Sequence, residues 1–173
     1  MPMKSIVFIG PPGSGKSTVG RSMAKRLNRK FIDTDSLIEE KSKKKISEIF
    51  VDDGEDFFRN LELEALKEVL LVNDCILSLG GGAPIKEEAQ ALITSADVYV
   101  VFLDISLAAA APRVGFNRDR PLLLGNPRAQ WQALNEIRRP IYEKLATLSI
   151  KVDDMSVDQI VGEIIPKYEL VAK

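Results

Sequence analysis

The sequence predicts an α/β fold, a mainly parallel β-sheet covered by helices on both faces. Three observations predict it. Short apolar runs alternate along the chain with longer stretches whose apolar residues recur at helical spacing. A phosphate-binding pattern, Gly10-Pro-Pro-Gly-Ser-Gly-Lys-Ser17, stands between the first apolar run and the first helical stretch. The chain has 173 residues, 45% hydrophobic and 28% charged. That suits one domain able to bury roughly 70% of its unfolded surface without staples.

The elements follow in order. Residues 5–9 form a strand because Ile6-Val-Phe-Ile9 is a short apolar run, and residues 17–27 form a helix with Val19, Met23 and Leu27 on one face. Strand 30–33 ends at Asp33, and helical patterns at 36–42, 46–52 and 55–71 lead to strand 75–79. Helix 86–95, strand 98–103 and helix 107–114 come next. Helix 128–146 carries Trp131, Leu134 and Ile137 as an apolar packing stripe, and Pro140 is expected to kink it. Strand 149–152 and helix 157–171 complete the pattern. Apolar strands between amphipathic helices imply a sheet buried on both faces, with ligands bound outside the carboxyl ends of its strands.

Composition excludes several function classes. The net charge of −1 argues against a broad nucleic-acid or membrane footprint. Four lysines between positions 41 and 45 read as a solvated helix end and loop. No run approaches a membrane span, and Gly10 with the prolines interrupts the only apolar run near the start, so a cytoplasmic location is expected. Cys75 has no partner for an internal disulfide and reads as a buried small hydrophobe. The chain has no histidine, so histidine triads and histidine metal sites are excluded.

The candidate chemistry begins at the phosphate loop. Its glycines let successive backbone N–H groups turn toward a polyphosphate, at the positive end of the following helix. Lys16 reaches the β- and γ-phosphates, and Ser17 ligates magnesium. Asp33-Thr-Asp35 follows the second strand, and residues two apart on an extended chain point the same way. One carboxylate suits magnesium and the other a proton from a substrate hydroxyl, although an aspartate there also suits a helix N-cap. Arg59 and Glu62 share a helix face, as an oriented guanidinium or a surface ion pair. Gly80, Gly81 and Gly82 end the third strand, allowing close backbone approach or simply a turn. Arg113, Arg118 and Arg120 lie in or beside a stretch bounded by Gly115 and Gly125, a mobile lid or a solvated loop. Arg138 and Arg139, with Arg59, offer bidentate grip on a carboxylate, or are helix-surface charge.

Taken in order, these motifs resemble the shikimate kinase family along nearly the whole chain: Gly-Ser-Gly-Lys-Ser17, Asp33-Thr-Asp35, Phe58-Arg-Asn-Leu-Glu62, Leu77-Ser-Leu-Gly-Gly-Gly82, Arg120-Pro-Leu-Leu123 and Arg138-Arg-Pro-Ile-Tyr142. The resemblance implies a three-layer α/β/α kinase whose five-stranded parallel sheet has the order 2-3-1-4-5. It implies transfer of the γ-phosphate of ATP to the 3-hydroxyl of shikimate, with magnesium. Gly13, Ser14, Gly15, Lys16, Ser17 and Thr18 would bind the nucleotide, and Asp33 would support the metal through water. Asp35 would hold shikimate hydroxyls and is the candidate base. Arg59 and Arg138 would bind the carboxylate, with Gly80, Gly81 and Gly82 beside the substrate. Arg120 would reach the phosphates from the lid (about 113–126), and Arg113 would flank adenine. The acceptor-binding helices would lie at about 34–62. A monomer working on a small molecule is expected. Three departures from the family pattern stand out: Ala108-Ala-Ala-Ala-Pro112 before Arg113, Ile141 where leucine is usual, and no arginine at 153–156.

Overall fold

The computed structural model describes residues 3–114 and 126–172. β1 (Ser5–Ile9) lies at the centre of the sheet, and all five of its side chains are buried. β3 (Cys75–Ser78) and β4 (Val98–Asp104) flank it, with β2 (Lys30–Asp33) and β5 (Leu148–Lys151) at the edges. The order is β2-β3-β1-β4-β5 and every pairing is parallel, with Val7 opposite both Leu77 and Val100. The expected sheet order and class are those observed.

The strands alternate their side chains between two cores, because neighbours on a strand face opposite ways. Ile6, Phe8, Val101 and Leu103 pack against α1 (Lys16–Leu27) and α8 (Val157–Lys167). Val7, Ile9, Leu77 and Phe102 pack against α4 (Glu55–Val69), α5 (Glu87–Ser95) and α7 (Pro127–Leu145). A smaller cluster of Ile38, Ile49, Phe58 and Ala65 fastens α2 (Thr34–Ser42) and α3 (Ile46–Asp52) to α4. α6 (Leu107–Val114) completes the described helices. No described helix is long and apolar enough to cross a membrane.

Several local expectations change. The helix after β2 begins at Thr34, because the Asp33 carboxylate caps it by accepting from the Ser36 amide at 3.0 Å. α8 stops at Lys167, one residue past Pro166, and Glu169 takes a positive φ of 51°. By contrast, α6 runs from Leu107 through Pro112 to Val114 as expected, and α7 runs through Pro140 to Leu145, within a residue of the expected bounds. Ile137 is exposed, so the packing stripe of α7 is Trp131, Leu134, Tyr142 and Leu145 instead. Cys75 is buried and free. Lys41 pairs with Glu68, and Lys44 with Asp52 and Asp53, as surface charge does.

Candidate active site

The phosphate loop joins β1 to α1. Gly13 and Gly15 hold φ values of 84° and 94°, a left-handed region closed to most side chains. α1 has neither a side-chain cap nor an acidic residue in its first turn, whereas α4 and α5 begin with acidic pairs. The positive end of α1 is therefore left to an outside anion. Lys16 is almost buried, and its Nζ donates to the carbonyls of Gly10 at 2.7 Å and Pro11 at 3.1 Å. The buried Ser14 hydroxyl has no hydrogen-bond partner among the described residues. Two helices brace the loop from outside. Trp131 Nε1 of α7 donates to Pro12 O at 3.0 Å, and Arg113 Nη1 of α6 donates to Gly13 O at 3.3 Å.

The two aspartates divide their work differently from the extended-chain expectation. Asp33 ends β2 and accepts from Ser17 Oγ at 2.5 Å through one oxygen, while the other caps α2. Asp35 stands in the first turn of α2, so the helix rather than the strand aims it. Its carboxylate is directed at the triple glycine, where a Cβ on Gly80 would come within 2.6 Å of Asp35 Oδ1. Hard oxygen donors at Ser17 and Asp33 suit magnesium. No described cluster of three or more histidine, cysteine, aspartate or glutamate side chains could hold a metal alone, so phosphates and water would complete the shell.

The acceptor side gathers around the same glycines. A Cβ on Gly82 would meet the Arg59 guanidinium, so any side chain there would force that guanidinium to move. A Cβ on Gly81 would sit 3.5 Å from Arg138 Nη1, 3.5 Å from Gly10 O and 3.3 Å from Pro12 Cδ. Gly81 thus has both Arg138 and the phosphate loop as near neighbours. Arg59 donates to the buried Glu62 at 2.5 Å. Burial pushes the Glu62 carboxyl up from its ordinary range, against the pull of Arg59. Burial likewise lowers Arg138 from its usual value. Tyr142, wholly buried, is pushed up to about 12, chiefly by burial, and donates to Gly81 O at 2.5 Å.

A cleft of about 840 Å³ runs over these parts. Gly13, Ser14, Gly15, Lys16, Ser17, Thr18, Asp33, Asp35, Gly80, Gly81 and Arg113 all line it. Arg59, Gly82 and Arg138 are not in that lining; Arg138 lies beside Gly81, which is, and Arg59 lies beside the next glycine, Gly82. Arg139 does not join them. It forms a bidentate pair with Asp104 at 2.5 and 2.6 Å and also bonds Glu143, because consecutive helical residues point about 100° apart. Arg118 and Arg120 lie outside the described residues. Sequence reasoning missed Thr34, Ser78 and Tyr142. The usable signal for Tyr142 was its place four residues after Arg138, on the same helix face.

The arrangement pairs a polyphosphate cradle with a compartment holding two arginines and a carboxylate, which suits an anion bearing hydroxyls. Comparison with known proteins agrees. The shikimate kinase family model matches residues 12–169. The chain belongs to the shikimate kinase family. A shikimate kinase from Thermobifida fusca is 46% identical over 96% of this chain and 92% of its own. One from Rhodococcus erythropolis is 41% identical over 94% of this chain and 96% of its own. The solved structure of a shikimate kinase from Acinetobacter baumannii in complex with shikimate has a TM-score of 0.91. It is 31% identical and covers 95% of this chain and 92% of that one. In this chain the phosphate loop stands on β1 and α1, and the glycine turn packs beside α2 and α4.

Proposed function

We propose that this chain transfers the γ-phosphate of ATP to the 3-hydroxyl of shikimate, giving shikimate 3-phosphate and ADP. One observation carries the reading: Lys16 and Asp35 line a single cleft. Gly81, between the phosphate loop and Arg138, supports the same reading. In this scheme Arg138 and Arg59 hold the acceptor carboxylate, and Glu62 fixes the Arg59 guanidinium. Asp35 orients the 3-hydroxyl and takes its proton as that oxygen forms a bond to the γ-phosphorus. The bond from phosphorus to the β-bridging oxygen breaks, and its electron pair leaves with ADP. Lys16, released from Gly10 and Pro11, and Arg120 neutralise charge on the transferring group. Magnesium, held by Ser17 and through water by Asp33, would supply charge neutralisation on the β- and γ-phosphates. Arg113, beside Gly13, would flank the nucleotide. We infer a monomeric working unit, and a small anionic acceptor needs neither nucleic acid nor membrane. A cytoplasmic location agrees with a soluble biosynthetic role.

The test is a coupled ADP-release assay with magnesium, run with shikimate, gluconate and a nucleoside monophosphate as acceptors. ADP release that depends on shikimate and ignores the other two is expected. Release that follows either of the other acceptors instead would overturn the assignment.

A further inference from the structure

The triple glycine sits at the seam between phosphates and acceptor, yet glycine has no side chain to hold its own position. Two buried hydroxyls from other elements hold it. Thr34, fully buried between the two aspartates, donates from Oγ1 to Ser78 O at 3.4 Å and accepts from the Gly80 amide at 3.2 Å. Tyr142, fully buried on α7, donates to Gly81 O at 2.5 Å. The Arg138 guanidinium lies beside the Tyr142 phenol, close enough for the two groups to shift each other's protonation, while the phenol itself donates to Gly81.

We propose that Thr34 and Tyr142 are positioning residues of the acceptor site, one hydroxyl pinning the entry to the glycine turn and the other pinning its middle. Tyr142 fixes two things at once. It turns the Gly81 carbonyl inward, so the trans peptide presents the Gly82 N–H on the opposite side. Its ring also flanks the Arg138 guanidinium, which limits where that side chain can lie. Thr34 sits between Asp33 and Asp35, so the bond to Gly80 sets the spacing between both carboxylates and the turn. Its hydroxyl cannot be replaced by an apolar isostere without leaving the Gly80 amide unpaired. The phenol stays a donor across the working pH range, since burial holds it to about 12.

The inference rests on shikimate being the acceptor, and the experiment separates the two. Wild type, Tyr142→Phe, Thr34→Val and Thr34→Ser are each assayed for the KM of shikimate and of ATP. ADP affinity is measured by calorimetry and folding by thermal melting. Tyr142→Phe and Thr34→Val are expected to raise the shikimate KM about tenfold, with ATP KM and ADP affinity changed less than threefold. Thr34→Ser, which keeps the hydroxyl, is expected to restore the shikimate KM to within threefold of wild type. If Tyr142→Phe fails to fold, the Thr34 pair decides alone. A shikimate KM changed less than threefold in the variants, an ATP KM that rises equally, or no rescue by serine overturns the positioning role while leaving the acceptor assignment intact. A wild type without shikimate-dependent ADP release overturns that assignment and this inference with it.

Discussion

Arg138 and Arg139 are neighbours in sequence with separate tasks. Arg138 is buried beside Gly81, while Arg139 is spent on Asp104 and Glu143. Arg138→Ala is expected to raise the shikimate KM about 10- to 100-fold, the range for losing a charged hydrogen-bond partner, with little change in ATP KM. Arg139→Ala is expected to leave the shikimate KM within about twofold and to cost about 1–3 kcal/mol of stability, because Asp104 is almost buried. Steady-state kinetics and denaturant melts on both variants decide it; equal shikimate defects would put both arginines on the acceptor. Asp35→Asn keeps the shape of the side chain but turns one acceptor oxygen into a donor amide and cannot accept the proton. Its turnover at saturating shikimate is expected to fall roughly 10²–10⁴-fold. Near-normal turnover would leave Asp35 only an orienting role.

At the scale of elements, α7 ties the nucleotide half to the acceptor half. Trp131 near its start bonds the phosphate loop, and Arg138 and Tyr142 further along bond or flank the glycine turn. Trp131→Phe keeps most of the packing but removes the donor to Pro12 O. A loss of about 1 kcal/mol is expected, since that carbonyl borders the cleft and water can reach it, which for this length lowers Tm by about 2–4 °C. The ATP KM should rise while the shikimate KM moves less; the reverse pattern would mean that α7 does not brace the loop. The elements themselves were legible in the sequence. Apolar runs gave the strands to within a residue or so because a sheet buried on both faces tolerates little else. What was not legible was aim. Asp35 looked like the end of a strand, but the Asp33 carboxylate capped α2 early and turned Asp35 into its first turn. Trp131 was readable as packing, yet nothing local signalled that its ring nitrogen would meet Pro12, 119 residues away.

Across the whole molecule, the acceptor compartment brings together β2, α2, α4, the turn after β3 and α7. That convergence is a property of the parallel sheet order, not of any one motif. The motif series named the candidate residues, but the buried hydrogen bonds around the glycine turn come from pairs such as Tyr142 and Gly81, 61 residues apart, and no spacing rule predicts them. Assembling charges at such a seam has a cost for the fold, and Glu62 makes it measurable. Its carboxyl is buried and titrates above its ordinary 4.5, with burial the main cause, Arg59 opposing and Asp35 adding to the rise. Between the unfolded and folded values the native state binds more protons than the unfolded chain, so stability falls as pH rises through that window. The contribution is fully present below the unfolded value and lost above the folded one. Glu62→Gln removes the titration but leaves a neutral partner for Arg59. Melting temperatures of wild type and Glu62→Gln, measured from about pH 4 to pH 8, are expected to diverge as pH rises from the ordinary carboxylate range, with wild type losing ground to the variant. A difference flat across the range would mean that Arg59 and Arg138 balance the burial of Glu62, and one that grows in favour of wild type would mean that they outweigh it.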